Sequence, residues 1–146
     1  MALYLNGSKI IGSLVTDGNV VNKNLLDTTY FIRNLMSLTI GDNIDTVYVA
    51  NSPRYAHSLL IDVRKYNSIK VESNLTADAY LSDLWLYKYK NSLLVSEQYR
   101  FTQLVGTSII DVSDSDFIRI MLCSPDNSHP VYTDLTNHGT LVVTPN

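Results

Sequence analysis

The chain has 146 residues, a length that suits one domain able to bury a sizeable core. Apolar residues make up 45% of the sequence, which excludes a disordered chain. The net charge is −3 and the 11 basic residues are spread along the chain, so no stripe of positive charge predicts binding to nucleic acid.

The N-terminal segment, residues 1–21, is predicted to be an attachment hairpin outside the main domain. Two short strands at residues 2–5 and 9–15 flank the turn signal Asn6-Gly7. Apolar side chains occupy both sides of these strands, whereas a hairpin exposed to water is polar on one face. We therefore predict that this segment is an assembly interface with another chain. The interface residues are Leu3, Tyr4, Leu5, Ile10, Ile11, Leu14 and Val15.

The sequence carries no signal for secretion and none for insertion into a membrane. The N-terminus has no sustained apolar run followed by a cleavage site of small residues. No apolar run approaches the roughly 20 residues that a membrane helix needs. We therefore expect a protein that is made in a cytoplasm and is not inserted into a membrane.

Residues 24–40 support two interpretations. Asp27 or Thr28 could cap a helix whose apolar stripe begins at Phe31 and Ile32. The β-rich context of the segment favours extended structure instead. The sequence leaves both interpretations open.

From residue 45 onwards, alternating apolar and polar residues between turn clusters predict short antiparallel strands. The predicted strands are residues 45–50, 59–64, 68–72, 84–90, 93–97, 107–112, 117–122, 131–135 and 140–144. The side chains predicted to point inward are Val47, Val49, Leu59, Ile61, Val63, Ile69, Val71, Ile118, Ile120 and Leu122. Many short strands at close spacing indicate an all-β fold, an antiparallel β-sandwich over residues 22–146 with under about a tenth of helix.

The last long strand, residues 117–122, predicts two faces of different character. Ile120 belongs to the inward face, so Ile120→Ala should cost roughly 2–5 kcal/mol. Arg119 belongs to the other face, and Arg119→Ala should cost far less unless a partner covers that face.

Four blocks, in order along the chain, carry a resemblance. They are NLLD at residues 24–27, YAHSLLIDVRKYNSIKV at 55–71, LWLYKYKNSLLVS at 84–96 and TSIIDVSDSDFIRIML at 107–122. Their order resembles a jelly-roll-like β-sandwich module that is common in tail, baseplate, fibre and head-decoration proteins of bacteriophages. The module also occurs in surface proteins of gut bacteria.

The resemblance implies a jelly-roll-like sandwich and a non-enzymatic structural protein of a phage particle. Such a subunit would assemble with other virion subunits or as a homo-oligomer, on the head or on the tail, after synthesis in the host cytoplasm. This chain departs from the module at Ser113-Asp114-Ser115-Asp116, which stands in place of the usual proline-containing turn.

Trp85, Tyr87 and Tyr89 share one face of the strand predicted at residues 84–90. Aromatic rings at this spacing could form a platform that stacks on sugar rings. The alternative function is therefore a glycan-binding module for attachment to a host surface, in a phage or in a bacterial surface protein. Because the opposite face begins with two leucines, we favour a buried core or a subunit interface for these rings.

Residues able to bind metal or to act as nucleophiles are few. His57, His129 and His138 lie in turn-rich stretches without the spacing of a zinc site, so we expect solvated loop histidines. Cys123 adjoins an apolar strand and is predicted to be a buried, inert thiol.

Three carboxylates, those of Asp111, Asp114 and Asp116, cluster on a predicted turn. They could hold Ca²⁺, but the glycine and the terminal glutamate of a calcium loop are missing, which favours a polar turn. The sequence has no nucleophile elbow and no glycine-rich phosphate loop. We therefore predict no catalytic residues, no metal site and no cofactor.

Overall fold

The computed structural model describes residues 4–5, 8–9, 15–16, 19–20, 23–33, 40–45, 53–95, 99–101 and 104–146. In these ranges all regular secondary structure is β-strand, and all strand pairs are antiparallel. The strands are β1 (Tyr4–Leu5), β2 (Ser8–Lys9), β3 (Val15–Thr16), β4 (Asn19–Val20), β5 (Ile32–Arg33), β6 (Tyr55–His57), β7 (Ile61–Asp62), β8 (Ser68–Leu75), β9 (Asp83–Lys90), β10 (Leu93–Leu94), β11 (Tyr99–Phe101), β12 (Val105–Asp111), β13 (Phe117–Cys123) and β14 (Gly139–Pro145).

Two sheets pack against each other and confirm the predicted β-sandwich. The larger sheet has the order β10-β9-β13-β6-β5, with β11 also paired to β9 and β7 also paired to β13. The smaller sheet has the order β12-β8-β14. Strands β9 and β13 pair along seven residues each and form the centre of the larger sheet.

The main core lies between the inner faces of the two sheets. The larger sheet contributes Leu84, Leu86, Ile118, Ile120 and Leu122, and the smaller sheet contributes Ile69, Val71, Leu75, Ile110, Leu141 and Val143. The predicted inward positions Ile61, Val63, Ile69, Val71, Ile118, Ile120 and Leu122 are all buried, so the strand register was predicted correctly. Val47 and Val49 lie outside the described residues.

The turn between β9 and β10 adopts the backbone conformation that its hairpin requires. Lys90 pairs with Leu93, which leaves Asn91 and Ser92 as the two connecting residues, with φ angles of 50° and 66°. Positive φ at both positions is the geometry of a two-residue hairpin whose twist matches that of the strands. The side chain of Asp116 accepts a hydrogen bond from the amide of Asn91 at 2.9 Å and fixes this turn to the loop before β13.

The hairpin predicted around Asn6-Gly7 is present as the pairing of β1 with β2, and a second short pair, β3 with β4, follows it. Leu5 pairs with Ser8 and Thr16 pairs with Asn19, the spacing of two-residue hairpin connections. Val15, predicted to close the first hairpin, pairs with Val20 in the second. The described residues do not show whether residues 1–21 stand apart from the sandwich, so that boundary stays a prediction.

The ambiguous segment after it is extended where the structure describes it. Residues 23–33 contain β5 and no helix, and β5 pairs with β6. Phe31 is buried in the main core and Ile32 is exposed. Ile32 and Arg33 pair with His57 and Ala56, and this pairing identifies the end of the segment as a strand and not a helix.

The strand predicted at residues 59–64 is shorter than expected, and the prediction that Leu59 points inward is wrong. Leu59 is 50% exposed. The cause is Ser58, whose amide donates to the Ile120 carbonyl while its hydroxyl accepts from the Ile120 amide, at 2.7 and 3.0 Å. Because a side-chain oxygen takes the place of a backbone acceptor, the ladder stops there and resumes only at Ile61.

The strand predicted at residues 131–135 does not form. Val131 and Leu135 are buried, as the alternation indicated. Their amides donate to the carbonyls of Pro53 and Thr28, both at 2.9 Å, and not to a neighbouring strand. The alternation predicted burial correctly, but the backbone amides of this segment bond to carbonyls outside any strand, so no strand ladder forms.

Candidate functional site

The three aromatic rings of β9 lie on the outer face of the larger sheet. Tyr87 and Tyr89 are fully buried there and Trp85 is half-buried. They belong to a second apolar cluster, formed by Tyr87, Tyr89, Leu94 and Met121 with Ile44, Tyr55, Trp85 and Phe117 packed against it. In this arrangement the rings form interior packing and not an exposed sugar platform.

Residues 40–45 help to cover this outer face. The Gly41 amide donates to the Leu94 carbonyl and the Leu94 amide donates to the Asp42 carbonyl, both at 2.8 Å. The Ile44 amide donates to the Ser92 carbonyl at 2.7 Å. These bonds lay the segment along β10 and bring the Ile44 side chain onto the aromatic cluster. The larger sheet is therefore buried on both faces along part of β9 and β13.

A positive charge is buried within this outer layer. Arg119 is 5% exposed, and its Nη1 donates to the Tyr89 hydroxyl at 3.3 Å while Nη2 reaches the Ile44 carbonyl at 3.5 Å. Its guanidinium also lies 5.4 Å from the centroid of the Tyr89 ring. Burial raises the pKa of Tyr89, although the nearby Arg119 opposes that shift. Aromatic and carbonyl contacts thus replace water around the charge.

His57 lies on the same outer face, opposite Met121 in the strand pairing. Its Nδ1 is 2.9 Å from the Ser58 carbonyl, which fits an Nδ1–H that donates to that oxygen. Burial, together with the charge of Arg119, lowers the pKa of His57 to about 4. Among the described residues, neither Nε2 of His57 nor Nε of Arg119 has a hydrogen-bond partner. His57 is therefore a buried neutral histidine and not the solvated loop histidine that was predicted.

The residues of the predicted assembly interface are described only in part. Leu3, Ile10, Ile11 and Leu14 of the predicted assembly interface lie outside the described residues. For Tyr4, Leu5 and Val15 the structure describes strand pairing but no side chain. The interface therefore stays a prediction.

The carboxylates of the predicted polar turn each bind a nearby donor. Asp111 accepts from the amide and hydroxyl of Ser113 at 2.8 and 2.6 Å, and these bonds hold its pKa below the usual value. Asp116 accepts from Asn91 and from Lys90, and the bond from the Asn91 amide is the largest cause of its lowered pKa. In the described ranges, no three His, Cys, Asp or Glu residues are arranged to hold a metal ion.

A row of four rings at the surface was not predicted from the sequence. Tyr132 stacks on His138, with ring centroids 3.6 Å apart and planes at 12°. Tyr80 contacts Tyr132 at 5.7 Å and 31°, and its ring meets His129 edge to face at 5.3 Å and 83°. We call Tyr80, Tyr132, His129 and His138, together with Asp78, the ring cluster.

Asp78 fixes the ring cluster through hydrogen bonds. Its Oδ1 accepts from the Tyr80 amide at 2.7 Å, and its Oδ2 accepts from the Tyr132 hydroxyl. Partial burial raises the pKa of Asp78, but the bonds from Tyr132, Tyr80 and the Leu81 amide outweigh it and leave the pKa lowered. The same Asp78 bond raises the pKa of Tyr132 to about 12. At neutral pH the pair is therefore a carboxylate bound to a phenol.

Two loops bring the ring cluster together at one end of the sandwich. The loop after β8 carries Asp78 and Tyr80, and a backbone bond from the Asp78 amide to the Leu81 carbonyl closes it at 3.0 Å. The loop between β13 and β14 carries His129, Tyr132 and His138. The amide of Thr76 donates to the His138 carbonyl at 3.3 Å and joins the two loops. In the sequence the only signal was tyrosine and histidine in two turn-rich stretches far apart.

Comparisons with known proteins give no relative for this chain: no family model, no curated protein and no solved structure matches it. Within the described ranges, no helix is long and apolar enough to cross a membrane. Cys123 is buried, as predicted.

Proposed function

We propose that this chain is a non-enzymatic structural subunit of a bacteriophage particle. It acts by assembly, with further copies of itself and with other virion proteins, on the head or on the tail. The resemblance of its four blocks to a phage sandwich module supports this proposal. Three of those blocks fall on strands of the sandwich: residues 55–71 cover β6, β7 and the start of β8, residues 84–96 cover most of β9 and all of β10, and residues 107–122 cover most of β12 and of β13.

The observation that carries the assembly role is the exposed edge of the smaller sheet. In the part of the chain that the structure describes, β12 pairs along one side only, with β8. Val105 and Ile109 point away from the core on this strand and are 58% and 55% exposed. A long edge strand with exposed β-branched residues is a template for pairing with another chain unless it is covered. Assembly of subunits covers such an edge.

The test is the oligomeric state of the purified chain, measured by light scattering across a range of concentrations. We expect the full chain to form oligomers. Ile109→Lys places a charge on the β12 edge and should shift the protein towards monomer. Thr140→Lys is the matched control, because Thr140 is exposed on β14, the opposite edge strand of the same sheet. It should assemble as the unmodified chain does.

Two outcomes would contradict the proposed role of this edge. A full chain that stays monomeric at every concentration, and does not bind to particles, has no assembly surface. An Ile109→Lys variant that assembles as well as the Thr140→Lys control would place the contact elsewhere. Residues 1–17, within the N-terminal segment, are then the next to delete and test in the same experiment.

A further inference from the structure

We propose that the ring cluster binds a neutral saccharide. This inference goes beyond assembly and rests on side chains that are not part of the β12 edge. It also differs from the sugar platform suggested by the sequence, whose rings at Tyr87 and Tyr89 are buried.

The rings of the cluster present a supported apolar surface. Tyr80 is 42% exposed, while Tyr132, His129 and His138 are half-buried around it. His138 backs Tyr132 through a nearly parallel stack, and Tyr132 in turn contacts Tyr80. Because neighbouring rings and the Asp78 bonds hold the aromatic side chains in place, little side-chain freedom is lost on binding. The C–H face of a sugar ring matches such a surface in size and polarity.

Polar groups adjoin the rings where the hydroxyls of a stacked sugar would lie. The Asp78 carboxylate accepts bonds from the Tyr132 hydroxyl and from the amides of Tyr80 and Leu81, and a carboxylate with about four lone-pair sites keeps acceptor capacity for another. His129 is held by Asp126, with Nδ1 2.8 Å from the carboxylate oxygen. A carboxylate accepts strong hydrogen bonds from hydroxyl groups, and its fixed position would select their geometry. An apolar face with a few fixed polar groups is the usual composition of a ligand site.

The charges around the cluster favour a neutral ligand over an anion. Asp78 belongs to the ring cluster, and Asp126 binds His129 of the cluster. Asp134 is a third nearby carboxylate: its bonds from Thr136 lower its pKa most, and His138 of the cluster lowers it further. Carboxylates at this density repel phosphate, sulfate and nucleic acid. A sugar without ionised groups supplies hydroxyl donors and avoids that repulsion.

The ring geometry favours a stacked ligand over a caged cation. A cage for a quaternary ammonium group surrounds the ligand with ring faces that meet at steep angles. Tyr80 and Tyr132 are inclined by only 31°, and within the described ranges the steep contact of Tyr80 is made with the adjacent His129 ring. The cluster is therefore a stepped surface and not a box.

The experiment is saturation-transfer NMR of the full chain with neutral sugars at millimolar concentration: glucose, galactose, mannose, N-acetylglucosamine and their disaccharides. We expect at least one of them to bind. Tyr80→Ala should weaken that binding by about tenfold, which corresponds to losing one aromatic contact. Tyr30→Ala is the matched control, because Tyr30 is 52% exposed and is not part of the ring cluster. It should bind as the unmodified chain does.

A second variant separates loss of the site from loss of the fold. Asp78→Asn removes the carboxylate charge without removing the rings and should also weaken binding, and the thermal unfolding temperature of every variant is measured alongside. The proposal is overturned if no sugar binds, if Tyr80→Ala and Tyr30→Ala behave alike, or if choline or an acidic sugar binds better. None of these results bears on assembly, which the β12 variants test separately.

Discussion

Arg119 lies over the ring of Tyr89, with its guanidinium carbon 5.4 Å from the ring centroid, and one of its nitrogens donates to the Tyr89 hydroxyl. Both residues point to the outer face of the larger sheet, on paired strands β13 and β9. An arginine that is 5% exposed loses its hydration, and the aromatic ring compensates only part of that cost. The outer face is thus a second, partly polar core.

Arg119→Met should leave the free energy of unfolding within about 1.5 kcal/mol of the original, or raise it, because methionine keeps the apolar stem and removes the buried charge. Arg119→Ala should cost about 2–4 kcal/mol, because the stem packs on Tyr89 and its removal leaves a cavity. The sequence-based prediction that this change costs far less than Ile120→Ala is therefore revised, since Arg119 is buried by its own chain. Urea unfolding of both variants measures the difference. Equal losses would mean that a charge interaction, and not packing, stabilises this face.

Stability should depend on pH through His57. Its pKa is about 4 in the folded chain and the ordinary value is 6.5, so the unfolded chain binds the proton first as the pH falls. The free energy of unfolding should therefore be highest above pH 6.5 and should decrease by on the order of 3 kcal/mol between about pH 6.5 and pH 4. Urea unfolding at a series of pH values measures this slope.

The control for this slope is a comparison of two histidine variants. His57→Gln should flatten the pH dependence, whereas His129→Gln, at a half-buried surface position, should keep it. Removing the neighbouring charge with Arg119→Met should raise the pKa of His57 and make the slope shallower. If His57→Gln retains the full slope, other groups titrate in this range and the assignment to His57 is wrong.

Ile120→Ala should cost roughly 2–5 kcal/mol, because Ile120 is fully buried between the two sheets. Leu59→Ala is the comparison within the same fold, since Leu59 is 50% exposed and is not part of the β12 edge. It should change the free energy of unfolding by about 0.5 kcal/mol or less. Chemical denaturation of both variants checks the register, and comparable losses would contradict it.

Gly139→Ala should destabilise the fold far more than Gly106→Ala. Both glycines have positive φ, +112° and +146°, so alanine at either site costs about 1–2 kcal/mol of backbone strain. A Cβ at Gly139 would also lie 2.0 Å from the Asn74 carbonyl oxygen, whereas a Cβ at Gly106 meets nothing within 4 Å. Thermal unfolding of the two variants measures the difference, and a smaller effect at Gly139 would show that β14 can shift away from β8.

The sequence predicted the inner faces of the sandwich well because alternation reports directly on burial. It placed Ile120 and Val71 in the core and identified the Asn91-Ser92 turn. It also favoured burial of the aromatic rings on the outer face of β9, and Tyr87 and Tyr89 are fully buried. It did not predict what covers that face, because residues 40–45, which help to cover it, are distant from β9 and β13 in the chain. Alternation identifies two faces of a strand but not what packs on each.

Local hydrogen bonding and long-range loop contacts account for the other differences. Ser58 uses its hydroxyl as a ladder acceptor and exposes Leu59, which no periodicity could indicate. The ring cluster depends on contacts between two loops, such as that of Tyr80 with Tyr132. Contacts of that kind leave no short motif in the sequence, so the cluster became visible only in three dimensions.

The measurement that tests the central proposal most directly is quantitative mass spectrometry of intact phage particles purified from the source of the gene. The proposed role as a structural subunit predicts that the chain is present in a fixed number of copies per particle and remains after extensive washing. Absence of the chain from intact particles, with all of it recovered in the soluble fraction or on a bacterial surface, would contradict the proposal.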